Sequence, residues 1–373
     1  MSSRFQVSVP SERTEPHKFN GDLREGQFHG YGVLQYDSGA TYEGEFTHGQ
    51  KDGFGKYSMP DGSRYEGHFR ANKYHGTGTM YFPGGNRFTG TWVEGRILGK
   101  GQLVFANGDS FEGDWLDGMM NGEGTYHFSG GDTYRGSWLN DKRHGHGVMS
   151  YVDPDGRGEE VYDGSWENDQ IHGWGRYVYA DGGVYEGDWR TGRMTGKGSF
   201  TFANGSHYEG DWLDDVREGF GALVYANGDK YEGQWEQGRP HGKGVFTYAD
   251  GTVYTGTFVA SLKQGKGEMR FSNGDLFKGE WLEDQANGYG VCEYHDASRY
   301  EGMWKADLRH GKGLLTIGPE SFDGEFSENR RDGKGVLRLE GGIEVTGIWK
   351  GGLLRQTLEL RLPNDSAWND PDA

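Results

Sequence analysis

The 373-residue sequence predicts an all-β fold: an elongated, twisted, single-layer antiparallel sheet of tandem 23-residue β-hairpins. Three observations predict it. A pattern of aromatic, polar, glycine, polar, aromatic recurs from Phe19 onward, as in Tyr185-Glu186-Gly187-Asp188-Trp189. Its spacing is 23 residues almost throughout, the mark of a repeat architecture. The chain also holds 69 glycines, about two and a half times the usual share, beside 12 tryptophans. Glycine does not recur at every third residue, which excludes collagen. The aromatic content of 14% excludes a disordered linker. This glycine density would cost long helices about 1 kcal/mol per position relative to alanine.

Taken in order, residues 1–18 carry no periodic core and form an N-terminal tail. The array runs over 19–352, with fourteen complete units and a partial fifteenth beginning at Val345. Numbering each unit from its first aromatic, positions 1, 3 and 5 are ring, glycine, ring, while 2 and 4 are usually polar. That alternation is a half-buried strand. Positions 12, 14, 16 and 18 repeat the alternation as glycine, glycine, apolar, apolar, which predicts a second strand. Asn-Gly and Asp-Gly near position 21, as in Asn107-Gly108 and Asp250-Gly251, predict tight hairpin turns. Positions 6 to 11 form a polar link. The glycines at 3, 12 and 14 are expected on the inner face, where a ring of a neighbouring strand can lie over their backbone. At about 4.8 Å between strands, fifteen hairpins would extend on the order of 140 Å.

Three irregularities interrupt the array. Residues 152–160 add five residues and predict a longer surface turn. Asp296-Ala297-Ser298 lacks the turn glycine, and the unit ending Ile317-Gly318-Pro319-Glu320 is one residue short. Residues 353–373 form a C-terminal strand and tail, in which Leu358, Leu360 and Leu362 share a side and Pro363 ends the strand. With Phe322 and Phe326 they make a candidate assembly surface for a homodimer, because an uncovered edge strand must be blocked or used.

The formal charge of -18 repels polyanions, so no nucleic-acid partner is expected. No run approaches 18 apolar residues, and the N-terminus shows no apolar signal region. A protein of the cytosol or cytoskeleton is the expectation. Cys292 stands alone, at an inward position. Six histidines occupy position 11, including His172, His241 and His310. Equivalent positions lie about 10 Å apart, too far for one ion, so no metal and no cofactor are expected. The position-2 glutamates, such as Glu43, Glu209 and Glu232, form a ladder without the paired environment catalysis needs; it reads as a solvated face, as partners for Lys or Arg of adjacent units, or as an acidic docking stripe.

Two candidate binding surfaces remain. The rings Tyr185, Trp189, Tyr208, Trp212, Tyr231 and Trp235 could line a protein-binding groove. The basic residues Arg193, Lys197, Arg239 and Lys243 could form a ridge for anionic lipid headgroups.

The repeat closely resembles the MORN repeat, membrane occupation and recognition nexus. Tyr231-Glu232-Gly233-Gln234-Trp235 resembles its opening, and His241-Gly242-Lys243-Gly244 and His310-Gly311-Lys312-Gly313 resemble its HGxG segment. The resemblance covers about 19–352. It implies a non-enzymatic scaffold of the all-repeat type, similar to radial-spoke head proteins of the ciliary or flagellar axoneme and to protist basal and apical ring proteins. Partners would be proteins of such a cytoskeletal complex. The alternative it implies is a phosphoinositide-binding adaptor between membrane and cytoskeleton, with weak anionic lipid contact.

Overall fold

The computed structural model describes residues 16–153, 156 and 158–363. Most of the expected tail (residues 1–15), Pro154 and Asp155 of the insertion, and residues 364–373 with Trp368 lie outside the described residues. Thirty strands, β1 (Pro16–Arg24) to β30 (Leu353–Arg361), account for the regular structure, and no helix occurs among the described residues. The chain divides into two units, Met1–Arg193 and Met194–Ala373. The first holds β1 through β15 (Val184–Arg190). The second runs from β16, which starts at Arg193, to β30. Within each unit every strand pairs antiparallel with the next, as in Tyr134↔Met149 and Tyr208↔Leu223. β1 begins at Pro16, earlier than the sequence pattern, and Lys18 pairs with Gln35.

Positions 1, 5 and 16 form the core by strand alternation. Tyr42, Phe46 and Tyr57 are buried in one hairpin, Tyr231 and Trp235 in another. The glycines at 3 and 14 face each other across the hairpin, and the position-1 ring of that same hairpin lies over both. A Cβ on Gly44 would stand 2.5 Å from the Gly55 Cα and 2.6 Å from the Tyr42 hydroxyl. The ring thus lies over glycine of the next strand, as the sequence predicts, and the position-5 tryptophan of the following unit approaches the same glycine, Trp115 Cδ1 standing 3.2 Å from a Cβ on Gly101.

The glycine at position 12 does a different job. Between Gly210↔Gly221 and Trp212↔Arg217 the register shifts, leaving Asp211 opposite three residues. This bulge places Gly219 at φ 68, a left-handed conformation that glycine adopts without strain. The position-4 side chain then closes the bulge. Asp211 Oδ2 accepts the Phe220 N–H at 2.8 Å, and Gln234 Oε1 accepts that of Lys243 at 2.8 Å.

The hairpin turns fall where the sequence places them, and the polar link differs from expectation. At Asn107-Gly108 the Phe105 N–H donates to the Asp109 carbonyl and the Gly108 N–H to the Phe105 carbonyl. This is a three-residue loop with one residue, Gly108, in the left-handed region (φ 93). Ala297 takes the same place at φ 65, with its N–H on the Tyr294 carbonyl, so the unit without glycine keeps the turn. The polar link is no loop: the second strand begins at position 9, and positions 7 and 8 are a two-residue turn with both φ positive, as at Asp214 (48) and Asp215 (69). The position-8 N–H reaches back one unit to the position-10 carbonyl, Asp215 to Met194 at 3.1 Å. Where position 8 is Asp or Asn, its side chain also accepts the position-10 N–H, as Asp215 Oδ1 does from Met194 at 2.8 Å.

The insertion lengthens the sheet before it makes a loop, adding the pairs Tyr151↔Glu160 and Val152↔Glu159. The short unit closes with Gly318-Pro319 as a two-residue turn between paired Ile317 and Glu320.

Candidate protein-interaction surface

The six rings expected to line a groove are core residues. Tyr185 and Trp189 in the first unit are 0% and 6% exposed; Tyr208, Trp212, Tyr231 and Trp235 in the second are 0%, 6%, 0% and 3%. Their polar atoms are satisfied internally. Each tyrosine hydroxyl donates to the carbonyl three residues on: Tyr185 to Asp188 at 3.0 Å, Tyr208 to Asp211 at 3.0 Å, Tyr231 to Gln234 at 2.7 Å. Each indole N–H donates to a glycine carbonyl of the preceding strand, Trp189 to Gly175, Trp212 to Gly198 and Trp235 to Gly221. Tyrosine and tryptophan meet edge to face at 5.2 Å, as in Tyr208–Trp212 and Tyr208–Trp235, a geometry contributing about 1 kcal/mol per pair. A spine this closed offers no ring face to a partner. Sequence parity places these residues on one side of the sheet but does not show that they fill it.

Position 10 also faces inward, and the sequence pattern hid it because its residues vary in chemistry. Lys51 and Lys263 are buried. The Lys51 ammonium lies 4.5 Å from the Tyr57 ring centre, and the Arg217 guanidinium 4.5 Å from that of Trp235. Cation–π attraction over a desolvated ring compensates the burial of these charges. Basic residues of positions 9 and 13 do face outward. Arg193, Lys197, Arg239 and Lys243 are all exposed. Lys197 is engaged, with its Nζ 2.5 Å from Asp211 Oδ1, and this ammonium with backbone donation from Phe220 holds the Asp211 carboxyl below its usual range despite partial burial.

The C-terminal surface divides. Phe322 and Phe326 are buried at 0% and 3%, because they are the position-1 and position-5 rings of their hairpin. Leu358 and Leu360 are exposed on β30, and Leu362 is half-buried just beyond it. Leu360 pairs with Val345.

The outward face carries a set of residues that the sequence reading missed. Position 13 holds Tyr31, Phe54, Trp174, Phe220 and Tyr289, all strongly exposed. The signal was present: position 13 lies between glycines 12 and 14, so its parity is opposite to that of the buried position 14. On the same face, position-2 carboxylates alternate with position-15 residues across the strands. Lys56 stands between Glu43 and Glu66, and Arg176 between Asp163 and Glu186, to which its Nε donates at 3.0 Å. Two of the position-11 histidines face carboxylates across the turn, His241 with Glu236 at 3.1 Å and His172 with Glu167 at 3.5 Å. Cys292 is buried, and that burial pushes its thiol up. Among the described residues no group of three metal-ligating side chains converges, and no helix is long and apolar enough to cross a membrane.

Comparison with known proteins agrees with this architecture. The MORN repeat pattern matches fourteen stretches, from 19–41 through 322–342. No curated protein sequence matches the chain. Among solved structures, the TCP10 domain of CPAP from Danio rerio is 13% identical, with a TM-score of 0.31, covering 58% of this chain and 96% of that one. The TCP domain of SAS-4 from Drosophila melanogaster, solved with a proline-rich motif of Ana2, is 14% identical at a TM-score of 0.26, covering 48% and 89%. Similarity this low carries no argument about function. The fifteenth hairpin, which closes with Val345↔Leu360, falls beyond the last matched stretch; it keeps the antiparallel pairing but shifts register twice, so that Gly347 faces Thr357. With fourteen tandem matches over most of its length, this chain belongs to the MORN-repeat family, whose repeats serve as a protein-interaction scaffold.

Proposed function

We propose that this protein is a non-catalytic scaffold of a microtubule-based cytoskeletal assembly, in the axoneme of a cilium or flagellum, in the manner of a radial-spoke component, or in a basal or apical ring complex. One observation carries the scaffold reading. The inner face is occupied by the repeated spine, while the outer face keeps the same backbone register and changes its side chains from unit to unit, as Phe54, Lys100, Trp174 and Phe220 do at one position. A fixed frame with variable outward residues suits several partners along one chain. The cytoskeletal address rests on family resemblance alone. Proximity labelling from the full-length protein in ciliated cells tests it. Enrichment of axonemal or basal-body neighbours is expected, and a neighbour set confined to cortical membrane proteins would overturn it.

The phosphoinositide adaptor is the second reading, favoured by the exposure of Arg193, Lys197, Arg239 and Lys243. Asp211 against Lys197 and Glu236 near Arg239 offset part of that charge. Salt-sensitive binding to phosphoinositide vesicles, lost on reversing Arg193, Arg239 and Lys243, would support the adaptor. Absence of binding would sink it.

A further inference from the structure

The outward row of alternating position-2 and position-15 residues is charge-balanced from within at some places and not at others. Glu43–Lys56–Glu66 is one balanced triplet, in which Lys56 Nζ lies 3.7 Å from Glu66. Asp163–Arg176–Glu186 is another. In the second unit the equivalent triplet is Glu209–Ala222–Glu232, held in direct register by Glu209↔Ala222 and Ala222↔Glu232. Both glutamates are exposed, and among the described residues neither makes an ion pair. Alanine leaves a gap where those two triplets place a cation.

The surroundings of that gap are apolar along the strand of Ala222, and His207 and Lys230 stand opposite Val224 at its border. Phe220 lies two residues from Ala222 on the same strand, so on the same face, and is 59% exposed. Val224, two residues to the other side, and Val245, cross-strand from Glu232, are exposed as well. Asp211 and Lys197 neutralise each other at the border, and the Asp211 Oδ2 is engaged by the Phe220 N–H. The surface is thus an exposed ring and two valines flanked by two carboxylates outside any ion pair among the described residues, with the exposed Lys230 on the same face beside Glu232.

We propose that the Phe220–Ala222–Val224 face of the second unit docks a cationic segment of a partner protein. A lysine or arginine head would sit over Ala222 between Glu209 and Glu232, and adjacent apolar side chains would cover Phe220, Val224 and Val245. The charge complementarity is the one the chain itself uses at Lys56 and Arg176. The stem of a long basic side chain packs on apolar surface while its head stays polar, which matches a phenyl ring and a valine beside a carboxylate pair. The cation also gains from the face of Phe220. The proposal deepens the scaffold reading, on which it rests, by stating the chemistry of one partner.

The test uses the full-length protein and a fluorescent peptide of alternating arginine and leucine, with an alternating glutamate and leucine peptide as comparison. Salt-sensitive binding of the basic peptide is expected. Glu209→Lys with Glu232→Lys should weaken it by at least about tenfold. Ala222→Arg should do the same while leaving the melting temperature unchanged or raised, because it supplies from within the cation that Arg176 supplies elsewhere. Phe220→Ala should weaken binding without altering its salt dependence. Glu293→Lys with Glu340→Lys, which changes the net charge equally at a distance from the patch, should retain the affinity. Equal binding of the acidic peptide, wild-type affinity in the Ala222→Arg protein, or equal loss in the distant control overturns the proposal. Such a failure leaves the scaffold reading standing, since proximity labelling tests that separately.

Discussion

Ala297 shows at a single position how much each glycine contributes. It sits at φ 65 in a turn whose equivalent residue elsewhere is glycine, such as Gly228 at φ 91. An L-residue in the left-handed region is strained by about 1–2 kcal/mol. Glycine also carries a larger loss of freedom on folding, which offsets part of the relief. Ala297→Gly is therefore expected to stabilise the protein by about 1 kcal/mol, measured as a shift of the urea midpoint; a midpoint that falls would contradict the turn assignment. The opposite substitution at the paired glycines acts through space and not through φ. In Gly44→Ala the new methyl meets Gly55 and the Tyr42 hydroxyl, both within 2.6 Å. Overpacking of this kind costs about 3 kcal/mol. A stability within about 0.5 kcal/mol of wild type would show that the ring moves aside freely.

Within the hairpin, the buried tyrosine hydroxyls couple the spine to pH. Burial pushes Tyr231, Tyr254 and Tyr300 up to about 12, against 10.0 for an exposed tyrosine. Tyr42, Tyr65, Tyr134, Tyr162 and Tyr208 move in the same direction, chiefly through desolvation. The folded chain keeps these protons between pH 10 and 12 while the unfolded chain releases them. Stability is then fully present below pH 10 and is lost as pH rises through 12. Circular dichroism melts should be level near pH 8 to 9 and fall steeply above pH 10. Tyr→Phe at 231, 254 and 300 together should shallow that fall, and an identical slope would refute the link. The element scale also separates what was legible from what was not. Strand identity, the 23-residue period and the edge strand followed from parity and turn residues. The bulge at position 12 was not legible, because a glycine that serves φ and one that admits a ring are the same letter. The inward course of position 10 was hidden likewise, since Lys51, Tyr74 and Pro240 share no chemistry. The groove was misplaced because buried and lining rings share one parity.

For the chain as a whole, the open question with a structural handle is self-association. β30 pairs with β29 and has no partner on its other side among the described residues, and all nine of its residues are exposed. Leu353, Leu354, Leu358 and Leu360 present aliphatic surface there, at 60%, 42%, 47% and 56% exposure. Glu359 and Arg361 pair with each other at 2.8 Å, which leaves Arg355 as the strand's one further charge and little to repel a second copy. An edge of this kind templates pairing unless it is blocked, and antiparallel pairing of two β30 strands would close both edges by a twofold interface. A homodimer joined at this strand is therefore expected, with twice the chain mass by light scattering at micromolar concentration. Leu358→Lys with Leu360→Lys leaves the backbone ladder to β29 (Glu344–Lys350) intact and should return the mass to that of one chain with an unchanged melt. Truncation after Lys350 should give the same mass, though with a lower melt from uncovering Trp349. Phe322 and Phe326 contribute only by supporting the hairpin beneath, so Phe322→Leu should lower stability and leave the dimer mass unaltered. A wild-type chain that stays monomeric under these conditions would rule the C-terminal dimer out.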